Sequence, residues 1–211
     1  MELQYKPDFE DAKKRIAAFW NRAVLDRPCI WLTCPSKTQR ALPEKKFRTH
    51  RDRWMDAQFA VERADVQLSN TQFLGESIPA FFPNLGPDLI ATGYGCDMEF
   101  SETTSWSKPS LTNWDDIKTV KFDPKNEYIR KILEMTKLGL EAGKGKFITG
   151  HTDIHPGGDL VAAIRGPQQL CVDLIESPDQ VMELIKQTWN SFWDIYKDRK
   201  STRLNSSHES P

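Results

Sequence analysis

Apolar residues recur along this chain at helical spacing in some stretches and as short apolar runs in others, and the two alternate. Phe9, Ala12, Ile16, Phe19 and Trp20 form a first stripe, with Asp8 placed to cap it and Asp11 in its first turn. The spacing predicts a helix that the Asp26, Arg27, Pro28 turn follows. Cys29–Thr33 (CIWLT) is uninterruptedly apolar, the mark of a strand buried on both faces of a parallel sheet. A polar stretch over 36–50 reads as loop. Trp54, Met55, Phe59 and Val61 predict a second helix over 52–65, and a second strand is expected within 66–74. Residues 97–106 alternate and predict a hairpin or edge strand. Ile129, Ile132, Leu133, Thr136 and Leu140 predict a long helix opened by Pro124 and ended at Gly143. A third strand is expected over 146–151, then a helix over 160–164 capped by Asp159 and ended by Gly166, and a helical turn or two over 167–175. Ser177, Pro178 and Gln180 open a last helix carrying Val181, Leu184, Ile185, Trp189, Phe192 and Tyr196 to about Lys197. Alternating β and α elements of this kind predict an α/β fold with a parallel sheet.

In such folds ligands bind at the carboxyl ends of strands. His151, Asp153 and His155 sit there at a spacing of two, ahead of the Pro156, Gly157, Gly158 break. An extended backbone turns all three side chains to one side. Two imidazoles and a carboxylate can hold Zn²⁺ or another divalent ion, or serve as acid, base and orienting group. The loop over 75–95, rich in proline and glycine, follows the second strand and is a second candidate region. It offers Glu76 as a base or ligand carboxylate. Phe81 and Phe82 are candidate pocket walls there, with Phe73 just upstream on the strand, and Asn84 is a polar contact or turn residue. Arg165 can grip an anion or face a helix C-terminus.

Composition narrows the classes. With 211 residues, 38% hydrophobic, the chain can bury a sizeable core. A net charge of −1 supplies no basic field for nucleic acid. No apolar run is long enough for a membrane span, and the N-terminus has no apolar signal-peptide core. Four cysteines without a CxxC pair fit a reduced, cytoplasmic setting. Residues 198–208, DRKSTRLNSSH, resemble one reading frame of a widely used sequencing adapter. The native reading is therefore expected to stop near Lys197, with 198–211 a non-native, unstructured tail.

Several stretches together resemble the uroporphyrinogen decarboxylase superfamily, in a divergent branch: FWNRAVLDRP, FFPNLGPD, SETTSW, NWDDIKTVKFDP and GHTDIHPGGDLVAAIRGPQQLCVDLIESPDQV. The resemblance implies an eight-stranded β/α barrel. Residues 1–197 would be its N-terminal part, a (β/α)8 TIM barrel truncated after about three units, with strands at 29–33, within 66–74 and at 146–151. It also implies one of two reactions: decarboxylation of a porphyrinogen, or corrinoid-linked methyl transfer. The arginine-rich motif that holds porphyrin carboxylates is replaced here by TCPSKTQRALP, which favours cobalamin-linked methyl transfer in the full-length protein. The implied ligand is a small molecule or tetrapyrrole, the implied partner a corrinoid protein, and the implied cofactor a corrinoid or a divalent metal such as zinc. A non-catalytic corrinoid- or metabolite-binding protein is the alternative from another class. A barrel stopped after three units leaves open strand edges, so residues 1–211 alone are expected to be inactive and prone to aggregate.

Overall fold

A computed structural model describes residues 3–206, leaving aside the side chains of residues 194 and 197–206. In chain order the elements are α1 (Phe9–Trp20), β1 (Trp31–Pro35), α2 (His50–Trp54), α3 (Ala57–Ser69), β2 (Thr71–Gly75), β3 (Ala80–Phe81), α4 (Leu89–Thr92), β4 (Asp97–Phe100), β5 (Ser105–Lys108), α5 (Glu127–Ala142), β6 (Ile148–Thr149), α6 (Gly158–Arg165), α7 (Pro167–Glu176) and α8 (Pro178–Ser206). A 3-10 turn spans Trp114–Thr119. The protein is mixed α/β, and its described strands form three two-stranded sheets, none of them closed. No described helix is long and apolar enough to cross a membrane.

The chain divides into two compact units. The first holds residues 1–46, 58–83 and 135–150. Its core is Val61, Phe81 and Phe147, packed by Tyr5, Ala64, Leu68, Leu138 and Ala142. Val61, Ala64 and Leu68 keep helical spacing, which is why α3 runs on to Ser69 and the strand begins only at Thr71. β3 and β6 pair in parallel, Phe81 opposite Thr149. Phe81 lies so close to α5 that a Cβ on Gly139 would stand 2.6 Å from its ring.

β1 and β2 pair antiparallel, Trp31 opposite Gly75 and Pro35 opposite Thr71. This corrects the expectation of one parallel sheet through 29–33, 66–74 and 146–151. It also corrects the expectation of a doubly buried first strand, because Ile30, Trp31 and Leu32 are exposed. A continuous apolar run shows that a strand would gain from cover on both faces; a two-stranded ribbon supplies none. α1 departs likewise: Phe9, Ala12 and Ala18 are buried, while Phe19 and Trp20 at its end are exposed.

The second unit holds residues 47–57, 84–134 and 151–211. Its core gathers Ile90, Ala91 and Tyr94 around α4, Ile129 of α5, Leu160, Val161 and Ile164 of α6, and Val181, Leu184 and Ile195 of α8. β4 and β5 form the hairpin the alternation predicted, Asp97 opposite Lys108. The helix expected over 52–65 begins instead as a separate short α2. Thr49 caps it through a reciprocal pair, accepting from Asp52 N at 3.0 Å and donating its own N–H to Asp52 Oδ2 at 3.2 Å. α7 is a full ten-residue helix rather than a turn or two. α8 continues through residues 198–206, where an unstructured tail was expected. Extending a formed helix adds one hydrogen bond per residue fixed, so a polar sequence without Gly or Pro propagates it. Residues 207–211 of that expected tail lie outside the described residues.

The turn from β2 into the following loop depends on Gly75, at φ 59°. A Cβ there would stand 2.2 Å from the Ile30 carbonyl oxygen, a backbone atom with no room to retreat. Gly75→Ala should therefore cost about 3 kcal/mol or more, from left-handed strain plus overpacking. A urea-unfolding midpoint unchanged from the parent would contradict this.

Candidate functional site

Residues 151–156 leave β6 in the chain without regular structure. Gly157 then takes φ 73° and ψ −131°, a conformation open to glycine, and starts α6 as its N-cap. Asp159, expected as the cap, lies instead in the first turn, where its charge favours the helix dipole. The extended spacing does bring Asp153 and His155 together: His155 Nε2 lies 2.7 Å from Asp153 Oδ1, both side chains partly exposed. His155 Nδ1 lies 4.0 Å from Asp159 Oδ2, beyond hydrogen bonding, so it is the nitrogen turned away from Asp153. The carboxylate thus sets the ring's orientation and tautomer. His151 does not join them; its ring stacks on Tyr196 of α8 at 6.0 Å. Among the described residues no group of three or more His, Cys, Asp or Glu side chains is placed to hold a metal ion. Of the expected ligand set His151, Asp153, His155, the structure brings together the last two and turns His151 to Tyr196. Between them Thr152, 8% exposed, carries a buried hydroxyl without a protein partner. A polar ligand would satisfy it.

Glu76 is wholly enclosed. Arg27 grips both its oxygens at 2.7 Å, the Ile30 N–H donates to Oε2 at 2.8 Å, and Arg15 stands 3.7 Å away. The Arg27 guanidinium holds the carboxyl below its usual value. An ionised carboxylate with both oxygens engaged is an anchor rather than a proton acceptor, and this corrects its reading as a base. Arg165 is equally committed. Its Nε donates to Asp173 Oδ2 at 2.6 Å, Nη1 to the Leu111 and Thr112 carbonyls, and its guanidinium lies 4.6 Å from the Trp114 ring centre. With its side chain 7% exposed it ties α6 to α7 and to the segment 111–114.

The remaining candidates divide by burial. Phe81 is core, Phe73 is half-buried on β2, and Phe82 is half-exposed. Asn84 accepts from Gly86 N at 2.7 Å and shapes a turn. Sequence reasoning passed over Arg27, Arg15, Lys6 and Asp173. Lys6 is fully buried; its Nζ donates to the Phe73 and Gly75 carbonyls at 3.1 and 2.7 Å and pairs with Asp8. Asp173 alone carried a local signal, standing eight residues from Arg165 across a helix break. The partners of Glu76 and Lys6 lie 49 and 67 residues away in sequence, where no spacing rule applies.

Comparison of the chain with protein-family models, with curated proteins and with solved structures finds no match.

Three carboxylates give the stability a defined acid limit. Arg15 draws Asp26 down to about 2, and Arg27 and Arg165 lower Glu76 and Asp173. A depressed folded-state value adds stability above the unfolded value near ~4 and loses it as pH falls through the folded value. The denaturation midpoint should be insensitive to these groups from pH 7 to 5 and should fall between roughly pH 4 and 2. Asp173→Ala, which strands Arg165 in the interior, should cost about 3–5 kcal/mol by the same measurement at pH 7. A loss under 1 kcal/mol would show that water reaches Arg165.

Proposed function

We propose that the chain is the N-terminal part of a β/α-barrel enzyme of the uroporphyrinogen decarboxylase-like superfamily, and that the complete protein moves a methyl group to a corrinoid carried by a partner protein. The observation that carries this reading is the Asp153–His155 pair, a partly exposed imidazole held by a carboxylate on the loop after β6. Support for the barrel comes from the parallel β3–β6 pair, whose connection carries α5; parallel pairing requires such a crossover. Support for methyl transfer over porphyrin decarboxylation comes from the arginines. Arg27 and Arg165 are spent on Glu76 and Asp173.

In this mechanism the corrinoid is a substrate, accepting the methyl group from an oxygen, nitrogen or sulfur atom of a small methylated compound. The leaving heteroatom takes the bonding electron pair and needs a proton. His155 delivers it from Nδ1 when its ring is the imidazolium, and is left neutral with its remaining proton on Nε2 facing Asp153. His151, stacked on Tyr196, orders the loop rather than taking part in proton transfer.

The test uses the complete barrel protein with a reduced corrinoid and a panel of methylated amines, phenols and thiols, following the corrinoid's visible spectrum. His155→Ala should lower kcat/KM by about 10²–10⁴-fold, and Asp153→Asn by about 10–100-fold with KM little changed. Full activity in His155→Ala would remove the pair from the mechanism. Steady release of coproporphyrinogen from uroporphyrinogen would replace methyl transfer with decarboxylation.

A further inference from the structure

We draw no further inference here: the strongest candidate, the N-terminus of α6 at Gly157 and Gly158, is a helix end with no second described group that points to a ligand, and it adjoins the Asp153–His155 pair of the site already described.

Discussion

A carboxylate taken out of water has to be met by donors on the protein, and each unit of this chain is built around one such carboxylate. In the first unit Glu76 follows β2 directly, and its oxygens draw in Arg27, Arg15 and the Ile30 N–H. The approach to β1, the middle of α1 and the end of β2 are thereby fixed to one point. Gly75 serves the same junction, since only a residue without Cβ lets the Ile30 carbonyl come so near. In the second unit Asp173 plays this part for Arg165, which in turn takes up two carbonyls and the face of Trp114. Replacing such pairs with apolar groups can be neutral; breaking them is costly because a charge is left in the interior.

That constraint decided what was left for chemistry. Glu76 and Arg165 have the residue types of a base and an anion grip, and both are consumed by the fold. Asp153 and His155 escape because their loop is partly exposed and water shares the cost of their charges. The pair is accordingly available to a ligand, with the unmatched Thr152 hydroxyl between His151 and Asp153.

The exposed apolar surface has two forms with different physical meaning. The β1–β2 ribbon shows apolar side chains on both faces because two strands cannot cover themselves. α8 instead shows a second seam with helical periodicity beside the one it has buried, and ordered rings along it.

The features legible in the sequence are those that short-range physics governs. The 97–106 alternation became the β4–β5 hairpin, and the stripe at 129–140 became α5. The helix after Gly157 ended at Gly166, and the extended H-x-D-x-H spacing brought Asp153 to His155. These outcomes depend on side-chain periodicity and on residues a few positions apart. Tertiary structure alone decided that β1 pairs antiparallel with β2 and stays uncovered, that His151 turns to Tyr196, and that Lys6 is buried against the Phe73 and Gly75 carbonyls. It also decided that Glu76 belongs to Arg27. In each of these cases the deciding partner lies tens of residues away, and the outcome depends on which groups are left without water, a quantity that local spacing does not carry.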